Sequence, residues 1–170
     1  MSLNADSEAD PIEQAGRVRA KATIPESRSD AFVFFGATGD LAFKAIFPAL
    51  YHLIRDDFRM PIIGVARSGD LGALRERAKR SIEAHGGTDP ETTRRLVGAL
   101  KYVKGDLEDP DTYRRLRQEL AGADHPLYHL AVPPSLFRAV VRHLGRSGCA
   151  EGARVIVEKP FGRDPASARD

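Results

Sequence analysis

Residues 31–43 read Ala-Phe-Val-Phe-Phe-Gly-Ala-Thr-Gly-Asp-Leu-Ala-Phe, and the change of character at Gly36 decides the fold. Ahead of it stand five apolar residues in a row, the pattern of a strand covered on both faces. Beyond it, Leu41, Ile46, Leu50, Leu53 and Ile54 recur near helical spacing, which predicts a helix over about residues 40–56. Pro48 falls inside that helix, where it removes a hydrogen bond and should kink the chain, a cost that packing must offset. The turn between the two elements has the form G-x-x-G-x-x-A, a variant of the dinucleotide-binding fingerprint. Gly36 allows the tight turn, Gly39 lets the backbone approach a pyrophosphate, and the small Ala42 lets the helix pack on the strand. The candidate phosphate loop is therefore Gly36, Ala37, Thr38, Gly39, Asp40, Leu41, Ala42 and Phe43, with helix N-terminal amides facing the negative charge.

Working outward, short apolar runs alternate with amphipathic stretches to the end of the chain. Further strands are expected over residues 61–66, 101–104, 127–132 and 154–157. Helices are expected from Asp70 to Ala84, from a cap at Thr88 or Asp89 to about Leu100, from the cap Asp109 through Tyr113, Leu116 and Leu120, and after Pro133-Pro134. Strands alternating with helices build an α/β fold: a Rossmann-type doubly wound parallel sheet in three layers. Residues 1–30 are polar, with Pro11 and Pro25 and no periodic apolar face, and are expected to form a flexible tail. Residues 31–170 form the single nucleotide-binding domain.

The end of the second strand bears on which coenzyme is bound. An NAD site usually offers an acid there to the ribose hydroxyl, whereas an NADP site offers an arginine to the extra phosphate. Here the strand ends in Ala66-Arg67-Ser68-Gly69, with Asp70 only after the turn, so Arg67 is the candidate clamp and Ser68 a second donor. NADP is the expected cofactor, and no metal site is expected.

Composition narrows the alternatives. Hydrophobic residues make up 42% and charged residues 29%, near the averages of globular domains and unlike a disordered or membrane-embedded chain. No apolar run approaches the ~20 residues that span a bilayer, and the N-terminus lacks the order of a signal peptide. A net charge of +2 is too small to argue for nucleic acid. The basic residues Arg75, Arg77, Lys79 and Arg80, spaced among alanines, are expected to line a solvated helix face. Cys149 is the single cysteine, which rules out an intrachain disulfide and fits a reducing cytoplasm.

Three segments, FVFFGATGDLAFKAIFPALYHL at 32–53, GVARS at 64–68 and VIVEKPFGRD at 155–164, together resemble the coenzyme domain of the glucose-6-phosphate dehydrogenase family. That family passes a hydride from C1 of glucose 6-phosphate to NADP, giving 6-phosphogluconolactone, in the pentose phosphate pathway. The resemblance implies that residues 36–43 bind the coenzyme phosphates and that Arg67 takes the 2'-phosphate. It also carries coenzyme contact to Glu158 and Lys159, gives Lys159 a second role on the sugar phosphate, and implies a cis bond before Pro160. The histidine-tyrosine-leucine-glycine-lysine segment that grips the sugar phosphate is absent. No catalytic residue is thus assigned here, and the chain is expected to lack the C-terminal α+β substrate domain. Glucose 6-phosphate is the expected substrate of the whole enzyme, which the resemblance makes a homo-oligomer.

Two departures qualify the resemblance. Lys44 stands alone between Phe43 and Ala45 where relatives often carry several lysines, and Phe137 replaces a coenzyme-contacting tyrosine. None of His52, His85, His125, His129 and His143 matches the sugar-binding motif, and each is read as a helix-face or strand-end residue. A short-chain dehydrogenase shares the Gly-Ala-Thr-Gly loop but needs a lysine four residues after a tyrosine. Here Tyr51, Tyr102, Tyr113 and Tyr128 are followed by Arg55, Asp106, Arg117 and Val132. Two further alternatives are a glucose-fructose oxidoreductase-type enzyme, which shares the Glu-Lys-Pro, and a stand-alone NADP-binding module without catalysis.

Overall fold

A computed structural model describes residues 28–56 and 58–158. Five strands, β1 (Ala31–Phe35), β2 (Ile62–Ala66), β3 (Leu100–Lys104), β4 (Pro126–Leu130) and β5 (Arg154–Val157), form one sheet in the order β3-β2-β1-β4-β5. Every pairing is parallel, with Phe35 opposite Val65 on one side and Leu130 on the other. The helices are α1 (Phe47–Arg55), α2 (Leu71–Ala84), α3 (Pro90–Ala99), α4 (Pro110–Glu119) and α5 (Phe137–Arg146). The expected doubly wound sheet in three layers is what forms. Residues 1–27, including most of the expected tail, and residues 159–170 lie outside the described residues, and with them Lys159 and the bond before Pro160.

Strand β1 explains the layering. All five of its residues are buried, and their side chains alternate between two cores. Phe32 and Phe34 join Phe47, Leu50 and Ile54 of α1, Leu74 and Ile82 of α2, and Leu96 of α3. Ala31, Val33 and Phe35 face Tyr113 and Leu116 of α4 and Val140 and Leu144 of α5. Two tyrosines in that second core keep their hydroxyls bonded: Tyr113 donates to the Leu107 carbonyl at 2.8 Å and Tyr128 to the Cys149 carbonyl at 2.6 Å. Burial pushes both phenols well above the ordinary tyrosine range. Cys149 is buried beside them, in keeping with a packing role.

The caps follow the sequence. Asp70, Asp89 and Asp109 accept from amides in the first turns of α2, α3 and α4, so the choice between Thr88 and Asp89 falls to the aspartate. Strand β4 stops at Leu130, short of the expected Val132. Ala131 still donates to Phe35 at 3.1 Å, but Pro133 and Pro134 cannot extend the ladder. At the β5 edge of the sheet, Val155 and Ile156 are 47% and 41% exposed, β5 being the edge strand among the described residues.

The proline in the first helix is absorbed without the kink being left to packing alone. Residues Ala42–Ile46 form a π-helical turn in which the Phe47 amide reaches back five residues to the Ala42 carbonyl. In that register the next donor, to Phe43, would be the amide that Pro48 lacks. The Ser81 hydroxyl of α2 donates to the Phe43 carbonyl instead, at 2.5 Å. A helix-interior proline costs about 3 kcal/mol. Buried Phe47, Leu50, Tyr51 and Ile54, each contributing about 1.5–3 kcal/mol by leaving water, outweigh it.

Candidate functional site

The strand order reverses between β1 and β4, and ligands of such sheets bind at that point, beyond the carboxyl ends of the strands. The loop after β1 lies directly against the chain leaving β4. Gly36 has φ +85°, and a side-chain carbon there would stand 2.2 Å from the Ala131 carbonyl oxygen, so the crevice floor exists only because this residue is glycine. Gly64, in the middle of β2, plays a similar part. A Cβ on it would lie 2.9 Å from that of Ala37, so its bareness lets the loop settle onto the sheet. The sequence signal was present, since an isolated glycine in an apolar strand marks a close approach.

The loop amides divide into two sets. Gly36 and Ala37 donate to the Val65 carbonyl at 2.9 and 3.2 Å, and Gly39 donates to Gly36 at 2.8 Å. These bonds hold the turn, so the three residues shape the cradle rather than offer it donors. The amides of Thr38, Asp40, Leu41 and Ala42 have no backbone acceptor among the described residues. They are the orphan donors of a helix start, grouped where an anion is favoured. Lys44 is 3.4 Å from Asp40, but both are exposed, and such a pair contributes only about 0.5 kcal/mol or less.

The turn after β2 sits beside this cradle. A Cβ on Gly69 would be 3.8 Å from the Thr38 methyl, which brings Arg67 and Ser68 to the same rim as the loop. Arg67 is exposed and has no hydrogen-bond or ion-pair partner among the described residues. Ser68 is fixed through its backbone: the Tyr102 hydroxyl of β3 donates to its carbonyl at 2.6 Å and lies 3.3 Å from that of Ala66. Burial, with the charge of Asp70, raises the Tyr102 phenol above its ordinary range, so it stays a donor. Sequence reasoning missed Tyr102, because nothing local in Lys-Tyr-Val-Lys says which carbonyls a side chain from β3 will reach.

Of the remaining expected residues, Phe137 and Glu158 are described, and both follow strands at the same carboxyl edge. Phe137 opens α5 and packs partly buried on the second core, so the ring survives as packing where a hydroxyl would have served a ligand. Glu158 follows β5, and its carboxylate is 3.1 Å from His129 Nε2. His129, the last residue but one of β4, sits near the strand end as expected, but its ring is largely buried against Phe32. Two of the four basic residues read as a solvated face also turn inward. Arg75 donates to the Val97 carbonyl at 3.0 Å, and Arg77 donates to the Gly39 carbonyl at 2.9 Å with its guanidinium over the Phe43 ring. Arginine's long apolar stem lets it cross an interface that helical spacing alone assigns to water.

A recess of about 480 Å³ lies elsewhere, around Phe58, Met60, Pro61 and Ala99 at the amino ends of β2 and β3. It has none of the orphan amides, and the strand topology directs attention to the opposite edge. Among the described residues no helix is long and apolar enough to cross a membrane.

Comparison with known proteins agrees with this fold. Residues 33–170 match the family described as glucose-6-phosphate dehydrogenase, NAD binding domain. The chain is 44% identical over 142 residues to glucose-6-phosphate 1-dehydrogenase 1 of Mycobacterium tuberculosis, covering 82% of this chain and 30% of that protein. Glucose-6-phosphate 1-dehydrogenase of Saccharomyces cerevisiae is 37% identical over 153 residues, with 80% and 30% covered. The crystal structure of glucose-6-phosphate 1-dehydrogenase from Mycobacterium avium superposes with a TM-score of 0.79 at 46% identity, covering 84% of this chain and 32% of that one. A glucose-6-phosphate dehydrogenase in complex with its substrate glucose-6-phosphate gives 0.74 at 33% identity, with 84% and 33% covered. The chain thus spans about 30% of the length of the curated relatives it matches.

Proposed function

Because the chain belongs to the glucose-6-phosphate dehydrogenase family and matches its NAD binding domain, we propose that it is the NADP-binding part of an enzyme oxidising glucose 6-phosphate at C1 to 6-phosphogluconolactone. The observation that carries this reading is the set of orphan amides at Thr38, Asp40, Leu41 and Ala42, set over a floor that any side chain at position 36 would fill. Those amides hold the pyrophosphate. Arg67, exposed at the neighbouring rim, grips the adenosine 2'-phosphate with Ser68 beside it. Bound NADP supplies the hydride acceptor.

Glu158 and Lys159 complete the site in this reading, Lys159 serving both the coenzyme and the sugar phosphate. The assignment of Lys159 rests on family resemblance. No residue of this chain is given the role of general base: His129 is paired with Glu158, and His85 Nδ1 lies 2.7 Å from the Ser81 carbonyl. A reducing, cytoplasmic setting and a homo-oligomeric whole enzyme belong to the same proposal.

Titration calorimetry on the chain is the direct test, with NADP expected to bind more tightly than NAD. Failure of both to bind would end the reading. Assayed with glucose 6-phosphate, the same chain should bind coenzyme without measurable turnover, and robust turnover would require a base among its own residues.

A further inference from the structure

Helix α2 grips the start of the first helix at two points one turn apart. Arg77 and Ser81 are four residues apart on α2, and their targets, the Gly39 and Phe43 carbonyls, are four apart on the other. The Ser81 contact has a structural reason in Pro48. The Arg77 contact does not, because the Gly39 carbonyl already accepts the Phe43 amide, at 3.3 Å. Arg77 also keeps its Nε buried and without an acceptor among the described residues, an arrangement that stability alone does not favour. Its guanidinium carbon lies 5.1 Å from the centre of the Phe43 ring, and that ring meets His85 edge-on at 5.9 Å.

Of the two bonds that the Gly39 carbonyl accepts, the one from Arg77 is the shorter, 2.9 against 3.3 Å, and it secures the direction of that carbonyl. In a trans peptide the carbonyl of one residue and the amide of the next point opposite ways. With the Gly39 carbonyl drawn toward α2, the Asp40 amide in the same peptide unit is aimed away from α2, and it is one of the orphan donors of the cradle. We infer that Arg77 is a positioning residue for coenzyme binding: it holds the Gly39 carbonyl so that the Asp40 amide stays directed at the pyrophosphate, and the Phe43 ring keeps the guanidinium in place. This rests on the coenzyme reading above and adds to it a side chain that never touches the ligand.

The pyrophosphate is common to NADP and NAD, whereas the 2'-phosphate is not. Replacing Arg77 should therefore weaken both coenzymes by the same factor. Calorimetry with NADP and with NAD on the wild-type chain and on Arg77→Met, alongside circular dichroism, reads this. We expect Arg77→Met to lose about tenfold for each coenzyme, with their ratio unchanged. Arg77→Lys, which keeps a cation and a donor but not the planar fork, should lose only about threefold. A folded Arg77→Met with wild-type dissociation constants, even if less heat-stable, would overturn the inference. So would a selective loss of NADP, since that would put Arg77 on the 2'-phosphate. If Arg77→Met does not fold, Arg77→Lys decides: equal weakening supports the role and wild-type constants refute it. A wild-type chain that bound neither coenzyme would be a failure of the coenzyme reading itself, separable from these outcomes.

Discussion

The Ser81 hydroxyl of α2 donates to the Phe43 carbonyl, the acceptor that the missing amide of Pro48 leaves open. One side chain, 38 residues from its acceptor in sequence, thereby ties the phosphate loop and the π-helical turn that overlaps its end to the helix that begins just after the Arg67 turn. The proline does not break the first helix because a neighbouring element supplies what it lacks.

Ser81 has no solvent exposure, so Ser81→Ala should leave the Phe43 carbonyl unsatisfied in a confined space. The expected cost is about 1–3 kcal/mol, or roughly 2–4 °C in Tm for each kcal/mol lost. Thermal unfolding measured beside the exposed control Ser135→Ala checks this, and an unchanged Tm for Ser81→Ala would mean that the carbonyl finds another donor.

At the crevice floor, Gly36→Ala combines a left-handed backbone with a carbon 2.2 Å from the Ala131 oxygen. The backbone term alone is about 1–2 kcal/mol, and the contact forces the β1 and β4 loops apart. We expect at least about 2 kcal/mol of lost stability and a loss of coenzyme affinity larger than that of Arg77→Met. Near-normal affinity would show that the cradle tolerates separation from β4.

Much of the fold was legible because β1, β2 and the loop announce themselves locally. A strand buried on both faces reads as an unbroken apolar run, and the glycines of a phosphate loop stand at fixed spacing. The inward turns of Arg75 and Arg77, the Tyr102 bond to the Ser68 carbonyl and the seating of His129 against Glu158 were not legible. Each depends on which element lies across from a residue, and helical or strand spacing carries no such information. Position 137 is the intermediate case: the missing hydroxyl is legible in the residue type, whereas the seating of the ring on the second core depends on its neighbours in the fold.

The entry of β1 should also impose a pH dependence. Asp30 accepts from the Asp124 and His125 amides at 2.7 and 2.9 Å. Burial works to raise its pKa, but those two bonds, aided by nearby His125, outweigh it and hold the carboxyl below the usual range. A lowered folded-state pKa contributes stability above the unfolded value, about 3.9, and that contribution is lost as pH falls through the folded value. Wild type should therefore exceed Asp30→Asn by about 1 kcal/mol at pH 6, solvent screening being appreciable. The gap should close as pH drops below about 4. Urea unfolding at pH 6 and pH 3 measures it, and an equal gap at both would mean that the charge of Asp30 adds nothing.

Selectivity between coenzymes tests the other rim. Arg67 is exposed, with no partner among the described residues, in the turn whose Gly69 lies against Thr38, while Asp70, the nearest acid in sequence, caps α2 through the Ala73 amide at 2.8 Å. An uncommitted guanidinium next to a committed carboxylate favours the coenzyme with the extra phosphate. If one charge-assisted bond is worth about 1.5–3 kcal/mol, Arg67→Ala should weaken NADP by roughly ten- to a hundredfold. NAD has nothing at that position to lose, so its affinity should hold and the two dissociation constants should converge. Direct binding measurements on one preparation give both values. Equal weakening of the two would assign Arg67 to the shared part of the molecule, alongside Arg77, and an unchanged ratio with unchanged affinities would remove it from the site.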